Sequence, residues 1–237
     1  MKPFTLFLIC ATLYSKGDAS LTPFITPCYS SDTDCLRQSA QNALPAIAAG
    51  IPSFGMQSLD PMTLERVVAR QAGLDMEFRN TVVKGLRNCQ VLSVIRYPQR
   101  TRLDIKCSVT LVGDYRLDGQ LLILPVEGQG RYKIKIRDIV VKIDLDFGER
   151  SAYGQRYWTL GSYRHSAHVE TRAEFSFQNL FGGNSQLAAT IHEFANNNWR
   201  DIIQEVSPPI ISVIVSNIVQ EISKLFDSVP ISDLSLD

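Results

Sequence analysis

Residues 102–111 alternate without a break. Leu103, Ile105, Cys107, Val109 and Leu111 interleave with Arg102, Asp104, Lys106, Ser108 and Thr110, the two-residue period of a half-buried β-strand. Residues 167–177 behave alike, with Val169, Ala173, Phe175 and Phe177 on one face against His168, Glu170, Arg172 and Glu174. Residues 113–124 read as a strand pair or a bent strand punctuated by Gly119. Residues 131–147 change phase. Their apolar positions fall on even numbers at Tyr132, Ile134 and Ile136, then on odd numbers at Ile139, Val141, Ile143, Leu145 and Phe147. One extra residue near Asp138, a β-bulge, would keep all of these side chains on one face. Bulges bend sheets, and a long, bent, one-sided antiparallel sheet needs an apolar element in its concavity.

Toward both ends of the chain the period is helical. Leu36, Ala40, Leu44 and Ile47 share one face of a helix that opens at Asp34 and stops at Gly50 and Pro52. From Asn184 onward, Leu187, Ile191, Phe194, Trp199, Ile202 and Ile203 recur at helical spacing, and Pro208 and Pro209 interrupt the run. A second helix follows, with a stripe of Ile210, Ile214, Ile218 and Ile222 widened by Ile211, Val215, Leu225 and Phe226. Its β-branched residues also suit a strand, but the four-residue spacing and the length decide for helix. Its polar residues are few and small, which predicts that most of it is buried. The expected fold is α+β: a long helix wrapped by a strongly curved antiparallel β-sheet, in one domain over 20–237. Periodicity identifies the apolar faces. It is equally compatible with a filled core and with an apolar tunnel between them.

The N-terminus changes the picture of where this domain works. Met1 and Lys2 precede an apolar run from Phe4 to Leu13, and Gly17 and Ala19 place small residues ahead of Ser20. That is the pattern of a secretory signal peptide over 1–19. The run is shorter than the ~20 residues a bilayer span needs, and no later stretch reads as a span. An oxidising destination makes disulfides the expected use of the remaining cysteines. Four cysteines allow three connectivities. Cys28 and Cys35 close a small polar loop, and Cys89 and Cys107 lie equidistant from Pro98, in a turn between two strand-like runs. No Cys or His spacing resembles a zinc site. The chain's 24 Lys and Arg balance 24 Asp and Glu, and losing Lys2, Lys16 and Asp18 leaves one net negative charge. Such a surface has no electrostatic footprint for nucleic acid or acidic membranes. A monomer without stable membrane insertion is expected.

Catalytic motifs are absent: there is no Gly-x-Ser-x-Gly elbow and no phosphate loop, so no cofactor and no enzymatic activity are expected. His165 and His168 point to opposite faces of a strand and read as a solvated pair. His192 reads as a surface or helix-packing residue. Asp144 and Asp146 share a face with Lys142, away from the apolar one, and read as a solvated edge. Should the interior be hollow, Leu103, Ile105, Val109, Leu111, Ile134, Ile136, Phe175 and Phe177 would line it, joined by Phe194, Trp199, Ile214 and Ile218 from the helices. Tyr115 and Tyr132 would supply polar specificity.

Three segments carry a resemblance. Cys28 and Cys35 are followed by Gly50-Ile51-Pro52 and Leu59-Asp60-Pro61-Met62. Gly113-Asp114-Tyr115-Arg116-Leu117-Asp118-Gly119 runs into Leu124-Pro125-Val126-Glu127-Gly128-Gln129-Gly130. Asn179-Leu180-Phe181-Gly182-Gly183-Asn184 leads to Phe194-Ala195-Asn196-Asn197-Asn198-Trp199. In these the chain resembles the takeout and juvenile-hormone-binding family of insect secreted proteins, nearer its takeout branch. The resemblance implies the curved sheet around a long helix shared with lipid-transfer and bactericidal/permeability-increasing domains. It also implies a carrier of a small lipophilic ligand (terpenoid, fatty-acid-like or quinone-like) in extracellular fluid. Cys89 and Cys107 stand outside the pattern, so no particular hormone is carried over. The alternative function is a membrane- or lipopolysaccharide-engaging lipid-binding module, which calls for a basic or aromatic patch at one tip. A hydrolase acting on the bound ligand is a third.

Overall fold

The computed structural model describes residues 21–237; the expected signal peptide lies outside the described residues. Strands β1 (Met62–Gln71), β2 (Leu74–Lys84), β3 (Gln90–Tyr97), β4 (Arg100–Leu121), β5 (Leu124–Ala152) and β6 (Gln155–Phe177) form one antiparallel sheet in the order β1-β2-β4-β5-β6. β4 is long enough to take β2 along residues 110–119 and β3 along 100–106 on the same edge. The turns Ala72-Gly73 and Tyr153-Gly154 have positive φ at both positions, the backbone twist that suits two-residue hairpins. β4 runs past Gly119 and turns at Leu122-Ile123, so the punctuation expected at Gly119 is misplaced. Gly119 serves close approach instead: a Cβ there would sit 2.3 Å from the carbonyl oxygen of Gly73.

Asp138 is the expected bulge, with φ +54°. Cys107, Ile139 and Val169 form one row across β4, β5 and β6; Val109, Ile136 and Ala173 form the next. Between these rows β4 spends two residues, β5 three and β6 four. The strands therefore fan out toward the β6 edge, and the sheet curls there. Ser108 Oγ accepts from the Asp138 N–H at 3.1 Å, and Thr171 Oγ1 donates to the Asp138 carboxylate, so polar side chains on the neighbouring strands hold the extra residue in place.

Four helices fill the concave side: α1 (Thr33–Ala49), α2 (Ser185–Asn197), α3 (Trp199–Val206) and α4 (Pro208–Ser228). The Asp32 side chain caps α1 by accepting from the Cys35 N–H at 3.0 Å. Gln41 ties α1 to β3, donating to the Cys89 carbonyl and accepting from the Val91 N–H. The helical run expected from Asn184 is broken at Asn198 into α2 and α3. Its first apolar position, Leu187, is exposed rather than packed, because it lies in the solvent-facing first turn of α2. α2 is fastened to the free edge of β6: Asn196 accepts from the Phe175 N–H and donates to its carbonyl, and His192 accepts from the Phe177 N–H.

α4 departs from two expectations. It is long and apolar enough, by length and composition, to cross a membrane, yet it packs against β6 within this fold. Nor is it mostly buried: Val215, Val219 and Leu225 are, while Ile210, Ile211, Ile214, Ile218 and Ile222 remain half-exposed. Both disulfides are present. Cys28–Cys35 pins the entry to α1, and Cys89–Cys107 joins neighbouring strands across the Pro98 turn.

Candidate ligand-binding cavity

The half-exposed isoleucines of α4 face a hollow. Between the concave face of the sheet and α1, α3 and α4 lies a cavity of about 290 Å³, at the lower end of the ~300–1,000 Å³ typical of ligand pockets. Native interiors pack at crystal density with few voids larger than a water, so a hollow of this size is a specific feature of the fold. The register shifts around Asp138 lie along its sheet wall, and most of the lining side chains are aliphatic.

Among the lining residues every side chain but that of Ser207 is apolar. The Ser207 hydroxyl is already used, donating to the Ile203 carbonyl one helical turn back. The cavity therefore offers a guest dispersion and dryness, with no free side-chain hydrogen-bonding group among the described lining residues.

Of the residues anticipated as lining, Leu103, Ile105, Val109, Leu111, Ile134, Ile136, Phe175, Phe177, Ile214 and Ile218 are brought together around the hollow. Four are not. The Tyr115 hydroxyl donates to the Gln178 carbonyl at 2.6 Å, and the Tyr132 hydroxyl pairs with Thr81 Oγ1 at 2.7 Å. Burial pushes both phenols up to about 12, so each stays neutral and bonded within the protein. Phe194 and Trp199 are half-buried in the helical layer, away from the hollow. Trp199 instead carries the Arg200 guanidinium over its ring at 4.7 Å.

Sequence reasoning passed over other lining residues. Leu74, Met76 and Phe78 of β2 line the hollow, and their alternation with Asp75 and Glu77 is legible in the chain. The Cys89–Cys107 bridge also forms part of the wall.

The histidines are not a solvated pair. His165 lies opposite Ile143 on the concave face, and its Nε2 is 3.2 Å from Ser212 Oγ of α4; its Nδ1 is buried with no partner among the described residues. His168 faces outward near Glu170 at 3.8 Å. Asp144 and Asp146 also face outward, paired with Arg102 at 2.9 Å and Arg100 at 2.7 Å. The Arg102 hydrogen bond holds the Asp144 carboxyl below its usual range; bonds from Ser162 and then Arg100 do the same for Asp146. Glu77, between Arg79 and Arg66, is lowered to about 2. These are exposed ion pairs that zip the convex face and contribute little individually to stability.

A family model described as haemolymph juvenile hormone binding protein matches residues 5–236. The circadian clock-controlled protein daywake of Drosophila melanogaster is 24% identical over 228 residues, spanning 87% of each chain. A putative beta-carotene-binding protein of Schistocerca gregaria is 24% identical over 202 residues, spanning 82% of this chain and 80% of that one. The crystal structure of takeout 1 from Epiphyas postvittana matches with a TM-score of 0.88 and 26% identity, covering 90% of this chain and all of that one.

Proposed function

The chain belongs to the haemolymph juvenile hormone binding protein family, and we propose that it is a secreted, monomeric, non-enzymatic carrier that holds one small lipophilic ligand in its internal cavity. The observation that carries this reading is the hollow itself, walled by apolar side chains and, among the described lining residues, by no unengaged polar side chain. A guest there gains roughly 25 cal/mol for each Å² of apolar surface removed from water. A polar group placed along the same wall goes unpaired, at about 1–3 kcal/mol. The favoured ligand has a hydrocarbon body, terpenoid, fatty-acid-like or quinone-like, and the cavity would act as a tunnel along that body. The ten lining residues anticipated from the sequence are proposed as its contacts. A family named for binding juvenile hormone and a relative named a putative beta-carotene-binding protein support the ligand class.

The test is titration of the purified protein with an apolar fluorophore whose emission rises in dry surroundings. Saturation at one probe per chain, reversed by unlabelled terpenoids or fatty-acid esters, is the expected result. No saturable binding would overturn the proposal. Organic extraction of protein from its natural source, followed by mass spectrometry, would identify the ligand.

A further inference from the structure

The concave face is not apolar from end to end. Strand register resolves it into rows, because directly opposed residues share a face. The rows Val109–Ile136–Ala173 and Leu111–Ile134–Phe175 are wholly apolar. Toward the β3 end, one row reads Arg96, Thr101, Leu145 and Tyr163 across β3, β4, β5 and β6. Leu145 lines the hollow, so this row borders it, and Arg96 stands at the border as a cation.

Arg96 has no carboxylate in direct contact among the described residues. Its guanidinium lies 3.8 Å over the Trp158 ring and 4.9 Å over that of Phe147, and its Nη1 donates to Thr101 Oγ1 at 2.9 Å. Among the described residues no carboxylate oxygen comes within 4.0 Å of it, whereas Arg100 and Arg102, on the convex face, are each paired with an aspartate. Burial lowers the guanidinium's pKa from its ordinary value, opposed by the more distant charges of Asp237 and Glu149. A partly desolvated cation without a partner is costly, and stacking occupies only the face of the guanidinium. Apart from the Nη1 bond to Thr101, its in-plane N–H groups make no further hydrogen bond among the described residues, and their fork geometry matches a carboxylate.

We propose that Arg96, with Thr101 beside it, receives the carboxylate of a long-chain acid whose hydrocarbon tail occupies the cavity. The inference rests on the carrier reading and adds the polar end of the ligand to it. One guanidinium and one hydroxyl supply a single positive charge and few donors, which suits a carboxylate better than a dianionic phosphate. The ligand then lies with its head at the β3 end and its tail toward the Asp138 fan.

The experiment compares cis-parinaric acid with its methyl ester, two fluorescent probes of identical chain, at neutral pH. The expected result is that the acid binds about tenfold or more tightly than the ester, and that Arg96→Gln brings the two together by weakening the acid alone. Equal binding of acid and ester by the unaltered protein overturns the inference while leaving the carrier standing. Failure of both probes to bind removes the carrier and the inference together. A preference that survives in Arg96→Gln also overturns it. Should that variant not fold, the carboxyl of a ¹³C-labelled fatty acid bound to the unaltered protein decides by NMR. Titration at lower pH than the free acid supports the ion pair, and titration at the same or higher pH overturns it.

Discussion

Over residues 210–222, α4 faces a cavity; from Leu225 onward the same helix sits in a packed cluster. There Leu225 and Val229 are 1% and 0% exposed, beside Met56, Trp158, Ile231 and Leu234. Phe147, Trp158 and Phe226 pack edge to face, with centroids 5.3–5.8 Å apart. The two regions share a helix and a sheet and differ in side-chain reach. The hollow is walled mostly by aliphatic side chains, with Phe78, Phe175 and Phe177 among them. Aromatic rings span the gap at the other end. A hollow beside a close-packed cluster, on one helix, shows that this fold fills space where its sequence supplies the volume. The empty stretch is thus set by residue choice and by the strand fan, and each can be perturbed separately.

The largest effect is expected from the fan. Deleting Asp138 removes the residue that keeps Ile134 and Ile139 on one face, so one half of β5 must present its apolar set to solvent. No folded, soluble protein should be recovered, as judged by near-ultraviolet circular dichroism. A deletion variant of native stability would mean that the curvature does not depend on this bulge.

The contrast between hollow and cluster is sharpened by adding the same aromatic ring to each. Val229→Phe, at a fully buried position, should cost about 1–3 kcal/mol through overpacking. Ile214→Phe, beside the cavity, should change stability by less than about 1 kcal/mol and reduce apolar probe binding severalfold. Urea denaturation and probe titration of both variants provide the check. Equal destabilisation by the two would show that the space beside Ile214 is closed in solution.

Much of this was legible in the chain, for definable reasons. The phase flip at Asp138 is a one-dimensional signal, since a two-residue period cannot change parity without a bulge or an inversion. The stripes of β4, β5, β6 and α4 were likewise legible, and they place ten anticipated residues around the hollow. What periodicity cannot express is distance across the interior. Whether Ile214 meets Ile134 or leaves a gap depends on how far the fan opens the sheet. Tyr115 and Tyr132 lie on the apolar face as expected, but their hydroxyls are captured by Gln178 and Thr81, partners 63 and 51 residues away. Arg96 was hidden by a register shift between Val91 and Ser93 that breaks simple alternation along β3. The inward position of His165 became informative only once α4 had been placed over it.

A smaller effect than loss of the fan is expected at the strap over the packed end. Cys28 and Cys35 are seven residues apart, and closing so short a loop stabilises by somewhat under ~3 kcal/mol in the chain-entropy model. The surroundings of the bridge suggest a positional role in addition. The Leu236 N–H donates to the Cys28 carbonyl at 3.1 Å, and the Ser30 N–H donates to Asp237 Oδ2 at 2.8 Å. Phe24 and Ile25, just ahead of the loop, pack on the cluster that contains Trp158 and Leu225. The bridge thus fastens an N-terminal strap and the C-terminal tail over the end of the molecule nearest Arg96. Replacing both cysteines with serine should lower the unfolding midpoint modestly. If a ligand leaves by this end, its release should accelerate, because an untethered strap opens more often. Stopped-flow displacement of a bound probe measures the rate directly. An unchanged off-rate in a folded double-serine variant would assign the bridge to terminus stapling alone.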